Sequence, residues 1–108
     1  MEKNILDKEI AKLSFEDFQS LGKHVTIWNR INTCQAWFGA ISLEGNLYYI
    51  VLSYNTIVAI YSPNTGVLYS VGRFSMTTYQ HIRKYKNNYT PDKHYTKEYN
   101  LELCNWFK

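Results

Sequence analysis

One stretch of this 108-residue chain, from residue 31 to residue 72, is almost free of charge. Its only charged residue is Glu44, which is followed by Gly45 and Asn46. Glycine and asparagine readily take the backbone conformations of a tight hairpin loop, so this triplet predicts a turn. The segments on either side are rich in tyrosine and β-branched residues, which favour strands. The stretch therefore predicts an antiparallel sheet.

Turn signals divide this stretch into about four strands. An Asn-Thr pair at 55–56 separates the second strand from the third, and a Pro-Asn-Thr-Gly run at 63–66 separates the third from the fourth. Proline sets the first turn dihedral, and glycine takes the left-handed position that closes such a loop. The strands are predicted at 36–43, 47–54, 57–62 and 67–74.

The predicted strands do not alternate between polar and apolar residues. In the run LYYIVLSY, residues 47–54, both faces are apolar or tyrosine. An antiparallel sheet with one exposed face has a polar side, so this sheet is covered on both. Either helices cover both faces, or one face packs against a second copy of the chain. A homodimer is therefore one interpretation of the pattern.

The first 22 residues predict a pair of helices. Ile5, Leu6, Ile10 and Leu13 recur at helical spacing among charged residues. A second helix is predicted to begin at Ser14, because a serine hydroxyl followed by acidic residues can cap the unpaired amides of a helix start.

A further helix is predicted after the sheet. Ser75 can cap the start of this helix. The helix is predicted to extend to Tyr89, because the Thr-Pro pair at 90–91 disfavours helical backbone. Residues 24–35 mix β-branched and polar residues and predict helix or irregular structure. The tail that follows the helix is polar until it reaches a few apolar residues near the end of the chain.

Together these elements predict a single α+β domain over residues 1–108. Its architecture is an antiparallel meander of about four strands flanked by an N-terminal helix pair and a C-terminal helix. The chain is long enough to bury roughly two-thirds of its surface without a disulfide or metal. The predicted segments are a helical region at 1–22, the sheet at 36–74, the helix at 75–89 and a tail at 90–108.

Composition predicts an intracellular protein in a reducing cytoplasm. The N-terminus lacks the apolar core of a signal peptide, and no run approaches the length of a membrane span. Cys34 and Cys104 form no metal-binding motif and are expected to be free thiols. The net charge is +3, and residues 23–108 carry nine bases against four acids. This balance permits a nucleic-acid partner.

Catalytic and cofactor motifs are absent from the sequence. No glycine-rich phosphate loop or GxSxG motif occurs, and His24, His81 and His94 are far apart, so neither a metal nor a cofactor is predicted. His81, with Arg83 and Lys84, has the residue types of a metal-independent ribonuclease. The favoured interpretation is that His81 is a partly buried, hydrogen-bonded residue of the helix, and an enzyme is not predicted.

The last quarter of the chain combines bases with tyrosines. Residues 83–108 hold six bases, three acids and four tyrosines. Cations can contact phosphates and tyrosine rings can stack on unpaired bases, so RNA or DNA is a candidate partner. The alternative is a solvated helix face with exposed tyrosines. Thr77, near the predicted helix start, adds a hydroxyl where anions are favoured.

Three segments resemble a family of small, uncharacterised proteins of bacteriophages and mobile elements. They are SYNTIVAIY at 53–61, TGVLY at 65–69 and RFSMTTYQHI at 73–82. The family pattern includes a YS-x-TT-x-x-H segment that enters a helix, and Phe74 stands here in place of its tyrosine. The resemblance implies a phage origin, and therefore a location in the cytoplasm of a bacterial host cell. Small phage proteins without enzyme signatures often bind and block host defences such as CRISPR or restriction.

The sequence thus predicts a phage-type binding protein that inhibits a host defence complex, anti-CRISPR-like, through protein and nucleic-acid contacts. Two alternatives stay open: a small metal-independent ribonuclease or RNA-binding protein that uses His81 and the basic helix, and a structural homodimer without catalytic function. The candidate contact residues lie at a hairpin end and where the sheet leads into the helix: Tyr54, Asn55, Arg73, Thr77, His81, Arg83, Lys84 and Lys86.

Overall fold

The computed structural model describes residue 10, residues 12–91 and residues 96–101. These ranges form an α+β fold, in which helices pack on both faces of a six-stranded sheet. The strands are β1 (Asn29–Arg30), β2 (Ala36–Leu43), β3 (Asn46–Ser53), β4 (Thr56–Ser62), β5 (Val67–Ser70) and β6 (Lys97–Asn100). The helices are α1 (Phe15–Leu21), which leads into a short 3-10 turn (Gly22–His24), and α2 (Met76–Tyr89).

The six strands lie side by side in the order in which they occur in the chain. From β1 to β5, each strand pairs antiparallel with the next. β6 pairs parallel with β5, because α2 carries the chain back across one face of the sheet between them. The sheet is therefore an antiparallel meander closed at one edge by a β-α-β crossover.

The prediction of about four strands was wrong, because the sheet has six. The four predicted segments are present as β2 to β5, although β5 ends at Ser70 and not at residue 74. The two additional strands, β1 and β6, are the sheet edges and consist mainly of polar residues. Edge strands pair on one side only and are commonly charged, so neither carries the apolar pattern that marks β2 to β5.

The predicted hairpin at Glu44 and Gly45 is confirmed. Leu43 pairs with Asn46 across a two-residue loop. Glu44 and Gly45 both have left-handed backbone, with φ of 51° and 82°. This geometry matches the twist of two antiparallel strands.

The helix arrangement differs from the predicted one. The Ser14 capping box of α1 is present: the Ser14 hydroxyl accepts from the Asp17 amide, and the Asp17 carboxylate accepts from the Ser14 amide. The other helix of the predicted N-terminal pair falls largely outside the described residues. α1 and α2 lie on opposite faces of the sheet. No helix in the described ranges has both the length and the apolar composition needed to cross a membrane.

Residues 24–35 were predicted to be helical or irregular; they contain irregular chain and also the short strand β1, which neither alternative included. The tail predicted at 90–108 contains β6, and Leu101 directly after it is buried against the α1 face. The other apolar residues of that tail lie outside the described part of the chain.

Two apolar clusters explain why both faces of the strands are apolar. On one face, Phe18 and Leu21 of α1 pack with strand residues such as Ile50. On the other, Ile82 and Tyr85 of α2 pack with a second set, whose strand members include Val51, Ala59 and Leu68. Consecutive strand residues point to opposite faces, so each strand contributes to both clusters. Of the two interpretations of this pattern, the structure has the first, in which helices cover both faces of the sheet. A homodimer stays a prediction.

Gly39 of β2 is predicted to be the least replaceable small residue of the sheet. A Cβ added there would overlap Val25 Cγ1 and lie 3.0 Å from the Ile27 carbonyl oxygen. We expect Gly39→Ala to lower the free energy of unfolding by roughly 1–3 kcal/mol, because overpacking forces this backbone to move. Urea denaturation measures the change.

Gly22→Ala is the matched control for Gly39→Ala. Gly22 has right-handed helical backbone, and an added Cβ would meet its nearest atom, Ile57 Cδ1, at an ordinary 3.5 Å. We expect this variant to be as stable as the wild type or slightly more stable, since alanine restricts the unfolded chain. Equal losses in both variants would contradict the packing argument.

Candidate functional site

The loop between β3 and β4 has two residues, Tyr54 and Asn55, since Ser53 pairs with Thr56 across it. Tyr54 has a φ of 56°, in the left-handed region where glycine or asparagine is expected. This conformation costs a residue with a side chain roughly 1–2 kcal/mol. The Tyr54 amide donates to the Gln35 carbonyl at 2.8 Å, which fixes the strained backbone in place.

The Tyr54 side chain lies over a histidine of α2. The residue is 51% exposed, and its ring centroid is 5.5 Å from that of His81, with the ring planes tilted by 49°. One side of the tyrosine is therefore packed while the other is open to solvent. The sheet and helix together hold an exposed aromatic ring in a defined position.

His81 is buried beneath Tyr54, with only 5% of its surface exposed. Its Nδ1 lies 2.9 Å from the Ser53 hydroxyl, which is itself 3.3 Å from the Thr78 hydroxyl. Ser75 caps α2 by accepting from the Thr78 amide, and its hydroxyl also donates to Thr78 Oγ1. This chain of hydrogen bonds ties the start of α2 to the end of β3.

The charge state of His81 follows from its surroundings. Burial lowers the pKa of its imidazole, and the positive charge of Lys84 lowers it further. The ring is therefore neutral near pH 7. Lys84 lies at the edge of this region, where its ammonium contacts the Cys34 sulfur at 3.3 Å.

The structure brings together five of the eight predicted contact residues. Tyr54 and Asn55 form the loop, and His81 lies beneath it. Thr77 and Lys84 are exposed and lie four residues before and three after His81, so they share its side of α2. We refer to Tyr54, Asn55, Thr77 and Lys84, over the buried His81, as the turn–helix surface.

The other three predicted residues lie elsewhere. Arg83 faces the opposite flank of α2 and lines a small groove with Glu98. Lys86 forms an ion pair with Glu98, at 2.7 Å between Nζ and Oε2. Arg73 lines an apolar groove of about 550 Å³ beside α1. The basic residues of the predicted patch are thus spread over several surfaces.

Sequence reasoning missed the hydroxyl that is hydrogen-bonded to His81, that of Ser53, and the Thr78 hydroxyl that is hydrogen-bonded to Ser53 in turn. Both residues are buried, at 3% and 8% exposure. A hydrogen bond of the Ser53 side chain could have been predicted from sequence, because a polar residue that ends an apolar strand requires a hydrogen-bond partner if it is buried. Its partner could not be identified, since Thr78 is 25 positions away.

The same geometry bears on catalysis. A general base must come within hydrogen-bond distance of the proton that it removes. Here the His81 Nδ1 is occupied by Ser53, and the ring is covered by Tyr54. This arrangement suits a structural histidine, as the favoured interpretation had it. Among the described residues, no three His, Cys, Asp or Glu side chains are grouped as a metal site would require.

The model of one protein family matches residues 10–100, and its description is a family of unknown function, DUF8033. The chain belongs to this family. The range matched by DUF8033 includes α1, α2, β1 to β6 and the whole turn–helix surface. No curated protein and no solved structure matches the chain. The description of DUF8033 assigns no activity to its members, so the phage origin and the anti-defence function stay predictions.

Replacement of Tyr54 separates backbone strain from side-chain contact. Both Tyr54→Gly and Tyr54→Ala remove the ring, but only glycine also relieves the left-handed strain. We expect Tyr54→Gly to be more stable than Tyr54→Ala by about 1 kcal/mol, and to be within about 1 kcal/mol of the wild type. Thermal and urea denaturation measure these differences. Equal stabilities of the two variants would contradict the strained backbone.

His81 predicts a dependence of stability on pH. The unfolded chain binds a proton on this residue near the ordinary pKa of about 6.5, whereas the folded protein does so only at lower pH. We therefore expect the free energy of unfolding to fall as pH decreases below about 6.5, since the unfolded state then binds more protons.

The comparison variant for this pH effect is His81→Asn, whose amide can retain a hydrogen bond to Ser53 but cannot titrate. We expect the pH slope below about 6.5 to be smaller in His81→Asn than in the wild type. His24→Asn, at an exposed position, is the control and should keep the slope of the wild type. Urea denaturation across this pH range provides the measurement, and an unchanged slope in His81→Asn would refute the assignment.

Proposed function

We propose that this chain is a small, phage-type binding protein that inhibits a host defence system by contacting a protein of that system through the turn–helix surface. The observation that carries the proposal is the state of Tyr54. Its ring is half exposed, although its backbone is strained and its other face is packed on His81. Strained residues persist where the surrounding structure holds them, and they are concentrated at functional sites.

An exposed, fixed tyrosine is well suited to protein recognition. Tyrosine is among the residues that contribute most to binding energy at protein interfaces. Binding usually costs about 0.5–1.5 kcal/mol for each flexible side chain that becomes ordered. Tyr54 is already held by Gln35 and His81, so much of this cost is absent. Asn55, next to Tyr54 in the loop, and the exposed Thr77, on the His81 side of α2, add polar groups to this surface.

The charges favour a protein over a nucleic acid as the partner. A nucleic-acid site neutralises several phosphates with lysine or arginine. Lys84 lies on the turn–helix surface, whereas Arg83 faces the other flank of α2 and Lys86 is paired with Glu98. Arg30 adds a second cation nearby, since it donates to the Cys34 carbonyl and Lys84 contacts the Cys34 sulfur. Two cations at the rim of an aromatic anchor are few for a nucleic-acid site and fit a protein with acidic residues opposite them.

The host-defence part of the proposal rests on the resemblance to phage and mobile-element proteins. The three segments that carry this resemblance, at 53–61, 65–69 and 73–82, include Tyr54, Asn55, Thr77 and His81. Two of them therefore contribute to the turn–helix surface and to the hydrogen bonds beneath it, and Lys84 lies outside them. This coincidence links the family-level expectation to a particular surface.

A phage plating assay tests the proposal. Bacteria that carry a CRISPR or a restriction system would express the wild type, Tyr54→Gly or Phe15→Ala. We expect the wild type to raise phage plating and Tyr54→Gly to reduce this effect at least about tenfold, as loss of a binding anchor predicts. Phe15→Ala is the control, because Phe15 is similarly exposed but lies on α1, at the opposite face.

Two results would contradict the proposal in different ways. Equal activity of Tyr54→Gly and the wild type would show that the function does not depend on the turn–helix surface. No rise in plating with the wild type in either defence background would refute inhibition of those systems. Denaturation curves of each variant show whether a loss of activity is a loss of folding.

Nucleic acid is the competing partner, since a base could stack on Tyr54 beside Lys84. Purification in low salt, followed by the ratio of absorbance at 260 and 280 nm, distinguishes the two. We expect a nucleic-acid-free protein. Co-purifying nucleic acid that high salt removes would favour RNA or DNA binding. RNA cleavage that His81→Asn abolishes while folding is kept would favour the ribonuclease.

A further inference from the structure

A second surface lies on the α2 face of the sheet, at the end of the helix away from Tyr54. It is an open groove of about 220 Å³ lined by Phe38, Leu47, Tyr49, Tyr61, Tyr85 and Tyr89. Pro63 and Pro91 border it. We refer to it as the aromatic groove. None of these eight residues is charged.

The five aromatic rings of the groove form one continuous cluster. The Phe38 ring centroid is 4.8 Å from that of Tyr89 and 5.2 Å from that of Tyr85. Tyr85 and Tyr89 are stacked at 6.1 Å, and Tyr61 and Tyr49 extend the cluster along the strands. These separations lie within the range of favourable ring pairs. The aromatic walls of the groove are therefore formed by ring contacts within the chain itself.

Tyr85 differs from two other tyrosines of α2 in its hydrogen bonding. The Tyr89 hydroxyl donates to Asn32, and the Tyr79 hydroxyl donates to the Gly72 carbonyl. The Tyr85 hydroxyl has no hydrogen-bond partner within the described residues, although the residue is buried, with only 1% of its surface exposed. Buried polar groups in native proteins are almost always hydrogen-bonded, so such a group calls for an explanation.

Tyr85 is also fixed in its protonated form. Burial raises the pKa of its phenol well above the ordinary range, and the nearby phenols of Tyr61 and Tyr49 raise it further. A protonated phenol can donate a hydrogen bond. The groove thus offers ring faces and a buried donor, and its lining residues provide no charge.

The size and chemistry of the groove restrict its ligand. Pockets for drug-sized ligands measure roughly 300–1,000 Å³, so this smaller, open groove suits side chains presented by another chain. A nucleotide is disfavoured, because none of the described residues that line the groove could neutralise its phosphate. A quaternary ammonium is disfavoured, because it offers no acceptor to Tyr85. An uncharged peptide whose rings pack on the aromatic residues of the groove, and whose carbonyl can accept from Tyr85, has the chemistry that the groove requires.

We propose that the aromatic groove binds a proline-containing, extended segment of a partner protein, with the Tyr85 hydroxyl donating to a backbone carbonyl of that segment. Proline-rich segments adopt the polyproline II helix, which has no internal hydrogen bonds and leaves its carbonyl groups available. Such segments dock into aromatic-lined grooves, and their preformed shape reduces the entropy lost on binding. The proposal is independent of the turn–helix surface, with which the aromatic groove shares no residue.

The test uses the full chain and a capped synthetic polyproline peptide of about ten residues, long enough to form this helix. A glycine-serine peptide of equal length is the control ligand. Isothermal titration calorimetry or amide chemical-shift changes measure the affinity. We expect saturable binding of the polyproline peptide and none of the control peptide.

Variants assign the binding to the groove. We expect Tyr85→Phe to weaken polyproline binding about tenfold, through loss of one hydrogen bond, while its melting temperature is kept or raised. Leu47→Asp places a charge in the exposed wall and should abolish binding. Tyr54→Gly is the matched control and should bind the peptide as the wild type does, even though the plating effect is lost.

Several outcomes would overturn the proposal. They are failure of the wild type to bind polyproline, equal affinity of Tyr85→Phe and the wild type, and equal binding of the glycine-serine peptide. Binding of tetramethylammonium or adenosine in place of the peptide, with the same loss in Leu47→Asp, would reassign the groove to that ligand. None of these results bears on the plating assay, so the two proposals fail separately.

Discussion

The pairing of β3 with β4, buried on both faces, is the interaction on which the rest of the structure depends. Ile50 and Ile60 are paired partners that point to the α1 face, whereas the next pair, Val51 and Ala59, points to the α2 face. A strand pair that is apolar on both sides is stable only when both sides are covered. This requirement sets the position of each helix, and the β3–β4 turn between them presents Tyr54.

The interior of this fold was more predictable from sequence than its edges. The bounds of β2 to β4 followed from the charge-free stretch, the Glu44 turn and the Pro63 turn, because burial and turn geometry each restrict the residue types strongly. β1 and β6 were not predicted. An edge strand pairs its backbone on one side and exposes many of its side chains, so almost any polar sequence satisfies it. Ser75 and Pro91 marked α2 for local reasons of capping and backbone sterics.

The candidate site was predictable residue by residue but not as an assembly. The burial of His81 followed from the apolar side of α2, yet its partner Ser53 is 28 positions away in sequence. Their contact exists because the β-α-β crossover lays α2 over β3, and no local pattern encodes that. The left-handed Tyr54 was also unexpected, since the neighbouring Asn55 is the residue that ordinarily adopts such a backbone. The aromatic groove likewise joins residues from three strands and α2.

The polar strand β6 has a consequence for association between molecules. β5 is almost entirely buried, and without β6 its backbone amides and carbonyls would form an open, apolar sheet edge. Such an edge is a template for strand addition and aggregation. β6 covers this edge with exposed Lys97 and Glu98, and Glu98 is tied to α2 through Lys86. The charged residues of β6 are thus expected to disfavour the addition of a further strand at this edge.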